Sequence, residues 1–318
     1  ELKNIKTNQP FNVFSVFNDL AFQVVAKSLF SGAVRAEEIN RLQEITEAAQ
    51  KMLVRELRQP YLRSWFRWSG TLEKHTNLVQ EARTLLQKIV YDRRNSGQRE
   101  DDLLDMLLDA RYEDGSAMED TQLIDEILIL FVAGHETTSN ALTFTCELLA
   151  RNPVYQEKIL SELPDQMTKE SLGFLIREAT WIPMVIEETM RLYPPAYFID
   201  RVNLDDDQYK QMQFDAGTSL LFSVYEIHRH PKLWENPLAF QPERFEKRTS
   251  NEHSGHYFPF GAGPRMCIGN NFAMYEMIMT VAQLMKQFRI EPTSKPIEIE
   301  PLITLKPKNA MLVFQKRK

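Results

Sequence analysis

Apolar residues along most of the chain recur every three or four positions, which is the spacing of amphipathic helices. In the first such stretch, one face is shared by Val13, Val16, Phe17, Leu20 and Val24. The helical pattern covers residues 12–29, 35–56, 71–93, 103–110, 120–151, 153–163, 181–192 and 270–288. Strand-like stretches are short and late, at residues 219–224 and 310–315. We therefore expect a mainly α fold with a small β component.

No Gly/Ser run, low-complexity tract or internal repeat interrupts the sequence, so we expect one domain over residues 1–318. A content of 43% hydrophobic and 26% charged residues is typical of a soluble protein with a large core. The net charge of −6 argues against a nucleic-acid-binding surface. The two cysteines, Cys146 and Cys267, do not suggest a disulfide framework, which fits a reducing, cytoplasmic compartment.

The chain begins at Glu1, without a methionine, and goes almost directly into the first amphipathic stretch. This start predicts that an N-terminal section is missing. No apolar run looks long enough to cross a bilayer, so we expect a soluble protein. Whether the missing section contains a membrane anchor stays open.

The most informative segment lies near the C-terminus, where Cys267 sits in a turn rich in Gly and Pro, just before a helical run. A thiol at a helix N-terminus meets unpaired N–H groups and the positive end of the helix dipole, which stabilise its thiolate. Such a thiolate can be the axial ligand of a haem iron. Arg265 is placed to meet an anionic group such as a haem propionate. For a lone cysteine, the alternative is a buried free thiol.

A second unusual segment, Ala133-Gly-His-Glu-Thr-Thr138, lies in the middle of the longest helical pattern. A glycine costs roughly 1 kcal/mol relative to alanine in a helix interior, and such a conflict often marks a functional site. Spacing places on one face Leu130, Gly134, Thr137, Ala141 and Thr145. A flat ligand would fit against this face. The alternative is a tight helix–helix crossing at the glycine, with threonines bonding back to the preceding turn.

Two further groups of polar residues stand out. Glu187 and Glu188 precede Arg191 at the helical spacings i,i+4 and i,i+3, so either could form an ion pair with it. Such pairs are common, and the spacing alone does not indicate a function. Several histidines invite a metal site, namely His228, His230, His253 and His256. We rank a metal site low because no acid or thiol completes a ligand set at a sensible spacing.

Taken together, these segments resemble the cytochrome P450 superfamily over essentially the whole chain. The haem-binding loop of that family reads Phe-x-x-Gly-x-Arg-x-Cys-x-Gly, and the matching residues are Phe260, Gly263, Arg265, Cys267 and Gly269. Residues 133–138 are similar to the family's oxygen-binding motif, Ala/Gly-Gly-x-Asp/Glu-Thr-Thr/Ser, at every position. Glu188-x-x-Arg191, with Arg244 in Pro-Glu-Arg-Phe, resembles a third family motif.

The resemblance implies a role for each of these residues. Cys267 would be the axial thiolate ligand of haem b, and Thr137 with Glu136 would relay protons to bound oxygen. The remaining cofactor contacts would come from Phe260, Gly261, Arg265, Gly269, Arg201, Ala133 and Gly134. Glu188, Arg191 and Arg244 would form a buried structural network rather than catalyse. The His228-Arg-His-Pro231 segment resembles a structural turn of the family.

The same resemblance implies a haem-dependent monooxygenase of the bacterial, soluble type. It would insert one oxygen atom from O2 into an apolar organic substrate by hydroxylation or epoxidation. No flavin or iron–sulfur motif is present, so electrons would come from a ferredoxin-, flavodoxin- or flavin-reductase-type donor. That donor would dock near Cys267, where basic residues cluster in the sequence: Arg244, Lys247, Arg248 and Arg265. The alternative is that these residues are solvated surface or bind the haem propionates.

Three alternatives stay open. The first is a haem-thiolate binding protein or sensor without monooxygenase activity, which would not need Glu136 and Thr137. The second is a fragment that cannot hold haem, and the third is peroxide-driven oxidation. The sequence does not select among substrates such as fatty acids, terpenoids and carotenoids.

Overall fold

A computed structural model describes residues 2–32, 34–246 and 255–317 of the chain. Its helices are α1 (Val13–Phe30), α2 (Ala36–Arg58), α3 (Arg63–Trp68), α4 (Thr71–Ser96), α5 (Leu103–Asp109), α6 (Asp120–Arg151), α7 (Pro153–Glu162), α8 (Lys169–Glu178), α9 (Trp181–Leu192), α10 (Val224–Ile227) and α11 (Asn270–Gln287). Its strands are β1 (Pro10–Asn12), β2 (Phe198–Val202), β3 (Asp207–Tyr209), β4 (Met212–Phe214), β5 (Ser219–Ser223), β6 (Phe288–Pro292), β7 (Glu298–Pro301), β8 (Leu305–Lys308) and β9 (Met311–Lys316). Long helices beside short strands confirm the predicted fold class.

Apolar periodicity placed the long helices well but missed α8. The eight predicted helices end within three residues of the observed bounds. In α8, only Leu175 is fully buried and Gly173 interrupts the helical pattern, so the sequence signal is weak. The helix begins at a capping box instead. The Thr168 hydroxyl accepts the Ser171 N–H at 3.2 Å, and the Ser171 hydroxyl accepts the Thr168 N–H at 2.7 Å.

The chain forms two compact units, of which Asn18–Glu136 is one. Its core consists of apolar side chains from α1, α2, α4, α5 and the first half of α6. Phe22 of α1 stacks on Phe131 of α6, with ring centroids 4.9 Å apart. Every fully buried side chain of this core comes from a helix, and each strand in the described part of the chain belongs to the other unit.

The second unit contains the remaining residues, and its core joins the second half of α6, α7, α8, α9 and α11 to a small sheet. The sheet has the order β1–β9–β6, with antiparallel neighbours, and Ile290 of β6 is paired with Phe314 of β9. Gln156 of α7 fastens the edge strand β6. Its amide nitrogen donates to the Ile290 carbonyl at 2.8 Å, and its amide oxygen accepts the Ile290 N–H at 2.9 Å.

Helix α9 carries two of the predicted network residues, and side-chain chemistry fixes where it begins. The Glu162 carboxylate accepts the N–H groups of Thr180 at 2.9 Å, Trp181 at 3.0 Å and Ile182 at 3.0 Å. A carboxylate at this position satisfies N–H groups that a helix start leaves unpaired, and it meets the positive end of the dipole. The helix ends at Leu192, just before Pro194 and Pro195.

Helix α1 corrects the expectation that no segment is long and apolar enough to cross a membrane. Among the residues described, Val13–Phe30 meets that criterion by length and composition, and half of it is buried inside the protein. Val13 and Phe17 are fully buried as predicted, whereas Leu20 and Val24 are only half-buried. The buried face instead continues through Ala21, Val25 and Ala26.

Candidate active site

The loop before α11 is folded back on itself by backbone hydrogen bonds. The Cys267 N–H donates to the Phe260 carbonyl at 2.9 Å, and the Gly261 N–H donates to the Phe258 carbonyl at 3.0 Å. Helix α11 begins at Asn270, three residues after the cysteine. The predicted residues Phe260 and Cys267 are therefore joined directly, and the position of the thiol depends on the arm of the loop that contains Phe258.

Two glycines are required here by backbone conformation. Gly261 has φ of 76° and Gly263 has φ of 73°, in the left-handed region that other residues adopt only with strain. Gly269 is different, because a Cβ built there would lie 3.9 Å from the Cys267 Sγ, an ordinary contact distance. Gly269 thus lies against the sulfur.

The Cys267 side chain is exposed, and so are the large apolar side chains next to it in the sequence. Met266 is 51% exposed and Ile268 is 93% exposed. Phe272, in the first turns of α11, is 39% exposed. A group of exposed apolar side chains around one thiol indicates a surface that a ligand covers. Arg265, also exposed, adds a cation to this surface.

Arg201 lies on β2, where it pairs across the ladder with Leu220 of β5. Its side chain is exposed, and Nη1 donates to the carbonyl of Asp200 at 2.7 Å. In the described part of the chain, no hydrogen bond or ion pair joins Arg201 to Cys267 or Arg265. The guanidinium therefore keeps donors for an anion, and its role in binding a propionate stays a prediction.

The structure brings Glu188, Arg191 and Arg244 together in the interior. Arg191 is bidentate to Glu188, with Nε to Oε2 at 2.7 Å and Nη2 to Oε1 at 2.8 Å. Arg244 donates from Nε to Glu188 Oε1 at 3.3 Å, and the Gln241 N–H donates to the same oxygen at 2.9 Å. The Glu188 and Arg191 side chains are fully buried. A buried charge pair is tolerated only with such complete hydrogen bonding.

Every N–H of the Arg191 guanidinium has an acceptor. Besides the two bonds to Glu188, Nη1 donates to the carbonyls of His228 at 2.8 Å and Pro237 at 2.7 Å. Nη2 donates to the carbonyl of Ala239 at 3.1 Å. Five donors and five acceptors satisfy the group fully. Arg191 thereby ties two backbone segments that follow β5, at His228 and at Pro237–Ala239, to one point on α9.

Arg244 does not belong to a basic surface for an electron donor, contrary to the prediction. Its side chain is only 10% exposed. Its Nη2 donates to the Asn236 carbonyl at 2.9 Å, and its Nε is engaged by Glu188. A guanidinium held in this way is part of the interior and does not present its charge to a partner. Lys247 and Arg248 lie outside the described residues, and Arg265 is exposed.

On α6, Gly134 lies where the helix meets α1. A Cβ at Gly134 would come 2.8 Å from Cγ2 of Val25, closer than real side chains approach. The alternative of a tight helix crossing at the glycine is therefore confirmed. The prediction that a flat ligand lies against Gly134 is wrong, because this side of the helix faces α1. The exposed strip of this part of α6 instead contains Ile129, Val132 and Ala133.

The threonines of α6 differ in burial. Thr137 is half-buried, whereas Thr138 is 3% exposed, and the preceding Glu136 is 8% exposed. Further along, the Thr145 hydroxyl donates to the Ala141 carbonyl at 2.8 Å. Bonding to the preceding turn, the alternative for these threonines, therefore holds for Thr145.

The arrangement of the histidines does not form a metal site among the residues described. Over residues 2–32, 34–246 and 255–317, no three side chains of His, Cys, Asp or Glu are grouped so that they could hold a metal ion. His253 lies outside the described residues. His228 has a different environment: its ring is fully buried, and Nε2 accepts the Phe258 N–H at 3.0 Å.

The profile of the family described as Cytochrome P450 matches residues 2–314. The chain belongs to the cytochrome P450 family. It is 32% identical to cytochrome P450 4X1 of Homo sapiens over 264 residues, which cover 78% of this chain and 50% of the relative. It is 33% identical to putative cytochrome P450 132 of Mycobacterium tuberculosis over 223 residues, 68% of this chain and 47% of that protein. The chain spans about half the length of these P450 relatives.

Solved P450 structures share the fold. The heme domain of a cytochrome P450DA mutant aligns with a TM-score of 0.87 at 23% identity, covering 98% of this chain and 70% of that one. The unmutated P450DA heme domain gives a TM-score of 0.86. At this level of identity, the likeness concerns the fold alone.

Proteins of the P450 family bind haem b through a cysteine thiolate. The residues around Cys267 fit this group by their chemistry. They provide one exposed sulfur donor, exposed apolar side chains at Met266 and Ile268 for a flat ring system, and the Arg265 cation for a carboxylate. A glycine beside the sulfur leaves room for a close approach.

Sequence reasoning missed the role of two buried polar residues. The first is His228, which the sequence predicts only as part of a structural turn and as a weak metal-ligand candidate. The second is Glu276 of α11, which is 4% exposed and whose carboxyl oxygens have no hydrogen-bond partner among the described residues. Burial raises the pKa of Glu276 to about 8, so the carboxyl is neutral at pH 7. The only signal in the sequence is an acid on the apolar side of α11, between Ala273 and Met277.

Proposed function

We propose that this chain forms a single haem domain and that its protein is a monooxygenase. It would insert one atom of O2 into an apolar organic substrate by hydroxylation or epoxidation. The second oxygen atom leaves as water, which requires two electrons and two protons. No flavin or iron–sulfur motif occurs in the sequence. We therefore assign electron supply to a ferredoxin-, flavodoxin- or flavin-reductase-type partner, which is either a separate protein or a domain outside this chain.

The observation that supports this proposal most directly is the exposed Cys267 thiol on a loop fixed by its own backbone. When bound, haem b supplies redox chemistry and activation of O2. Cys267 would hold its iron, and Phe260 would orient the cysteine through the 2.9 Å hydrogen bond to the Cys267 N–H. Arg265 and Arg201 would bind the carboxylates of the cofactor.

Glu136 and Thr137 are proposed to move protons. Thr137 is half-buried, whereas Thr138 is buried. Glu136 is a buried acid immediately before it. A hydroxyl and a carboxyl at successive positions can hold and hand on a proton. The apolar strip of Ile129, Val132 and Ala133 would receive an apolar substrate.

The first experiment tests the cysteine. We expect the reduced, carbon-monoxide-bound protein to show the absorption band of thiolate-ligated haem. Cys267→His should lose this band, because imidazole replaces sulfur as the ligand. Cys146→Ser is the matched control: Cys146 is fully buried, and burial raises the pKa of its thiol, so it has no thiolate to give. A thiolate band that survives in Cys267→His would contradict the assignment.

The second experiment separates an enzyme from a haem-thiolate sensor. Thr137→Ala should still bind haem and substrate and still consume electrons from a redox partner. The fraction of electrons that ends in oxidised product should fall, with hydrogen peroxide released instead. Thr138→Ala, at the buried neighbouring position, is the control. Equal coupling of electrons to product in the wild type and Thr137→Ala would remove the proton-transfer role and favour the sensor.

A further inference from the structure

The loop that carries Cys267 is attached to the rest of its unit through a histidine side chain. We infer that His228 is a positioning residue for the cysteine loop, because its imidazole Nε2 accepts the backbone N–H of Phe258. The inference concerns the geometry of the haem ligand and therefore rests on the proposed function.

The anchor is the backbone of His228 itself. His228 follows α10, and its N–H donates to the Val224 carbonyl at 2.9 Å. Its own carbonyl accepts Nη1 of the buried Arg191 at 2.8 Å. The residue is thus held on both sides of its Cα, by α10 and by the guanidinium on α9. Its side chain is fully buried, beside the rings of Tyr257 at 5.2 Å and Phe258 at 5.7 Å between centroids.

The tautomer of His228 follows from its partner. A backbone N–H can only donate, so Nε2 must present its lone pair, and the ring proton must be on Nδ1. Protonation of Nε2 would set two N–H groups against each other at 3.0 Å. Burial lowers the pKa of His228 to about 3, with the charges of Arg191 and Arg229 acting in the same direction, which keeps the ring neutral.

The path from His228 to the sulfur is short. Phe258 is two residues before Phe260, and the Phe260 carbonyl accepts the Cys267 N–H at 2.9 Å. The residue before Phe258 is also fixed, because the Tyr257 hydroxyl donates to the Glu187 carbonyl of α9 at 2.9 Å. If the Phe258 N–H loses its acceptor, this arm of the loop loses the hydrogen bond that ties its backbone to His228. The Phe260 carbonyl, which accepts the Cys267 N–H, then shifts together with this arm.

The experiment compares two substitutions of His228 with a matched control. His228→Leu fills much of the space but has no acceptor, whereas the Oε1 of Gln in His228→Gln can reach the position of Nε2. The control is His230→Leu. His230 is exposed, and its Nδ1 accepts the Lys232 N–H at 3.2 Å, the same kind of bond leading away from the loop.

The first readout is amide hydrogen exchange in the ferrous carbon-monoxide form, which is diamagnetic. We expect the Phe258 N–H to exchange about tenfold faster or more in His228→Leu, as for the loss of one native hydrogen bond. The Cys267 N–H should follow, while His228→Gln and His230→Leu should stay near the wild type. The second readout is the carbon-monoxide spectrum, in which His228→Leu should shift population from the thiolate band to the band of neutral thiol or lost sulfur ligation.

Three results would overturn the inference. One is unchanged Phe258 exchange and an unchanged spectrum in His228→Leu. Another is a loss in His228→Gln as large as in His228→Leu. The third needs no variant, so it decides the matter even if His228→Leu fails to fold: a nitrogen-15 spectrum of the wild type that places the proton on Nε2. A wild type without any thiolate band would contradict the haem proposal instead, while the tautomer and exchange of the haem-free protein would still test the role of His228.

Discussion

Replacing Arg191 with alanine tests what holds the fold around α9. In the wild type, all five guanidinium N–H groups have acceptors, at distances from 2.7 to 3.1 Å. The substitution removes the partner of Glu188, whose side chain is fully buried. Of the contacts that residues 2–32, 34–246 and 255–317 provide, Glu188 keeps the Gln241 N–H at 2.9 Å and the more distant Arg244 Nε at 3.3 Å. Three backbone carbonyls also lose their donor, those of His228, Pro237 and Ala239.

The magnitude follows from burial. Removing one partner of a buried ion pair costs about 3–5 kcal/mol, because the remaining buried charge loses most of its compensation. A typical domain has a free energy of unfolding of about 5–15 kcal/mol, so this loss is a large share of the total. We therefore expect Arg191→Ala to lower the free energy of unfolding by about 3–5 kcal/mol and to reduce the yield of folded protein.

The assay is urea denaturation followed by far-ultraviolet circular dichroism, and the chain contains a matched control. Arg41 is also bidentate to a glutamate, with Nε and Nη2 at 2.7 and 2.8 Å from the Glu81 carboxylate. Both of these side chains are largely exposed, at 42% and 47%. Solvent replaces such a pair easily, so Arg41→Ala should change the midpoint far less than Arg191→Ala.

Arg244→Ala provides a measurement even if Arg191→Ala does not fold. Its bond to Glu188 is longer and its side chain is 10% exposed, so the loss should lie between those of the other two variants. The reasoning is refuted if Arg191→Ala unfolds at the same urea concentration as Arg41→Ala. The network would then contribute no more than an ordinary surface pair.

Two further predictions concern other buried positions. Glu276 has a folded-state pKa raised to about 8, above its ordinary value of 4.5, so the folded state binds a proton that the unfolded state has already lost between these pH values. The free energy of unfolding should therefore fall as pH rises from 5 toward 8. Glu276→Gln is always neutral, so its free energy of unfolding, measured by urea titration, should fall less over this range. Identical pH profiles for the wild type and Glu276→Gln would contradict the raised pKa. Gly134→Ala should destabilise the protein despite the better helix propensity of alanine, because the new Cβ would come 2.8 Å from Val25 Cγ2. The double variant with Val25→Ala should recover part of the loss, and an additive result would show that the close approach is not the cause.

Much of the local structure was predictable because local chemistry specifies it. The longest helix, α6, has the predicted bounds Asp120–Arg151, since its apolar repeat is long and Pro153 follows its end. Strand β1 was not predicted, because its three residues carry no alternation and form a strand only by pairing with β9. The same limit explains α8, where a capping box acts in place of an apolar stripe.

The candidate site also has one part that the sequence specifies and another that only the structure decides. The sequence alone determined the Cys267 loop, because its spaced glycines, arginine and cysteine are close in the chain and constrain one another locally. The helical spacing left Glu187 and Glu188 equivalent as partners for Arg191. In the structure, Glu188 lies on the buried face of α9 and is the partner of Arg191. Its Oε1 also accepts the N–H of Gln241, 53 residues away.

Only the tertiary structure decided the contacts between residues far apart in sequence. His228 and Phe258 are 30 positions apart, and nothing in either segment shows that a ring nitrogen of one accepts the amide of the other. Gly134 lies at the contact with Val25 because two helices cross there. Periodicity shows which face of an element is apolar, but the partner of that face depends on how the whole chain packs.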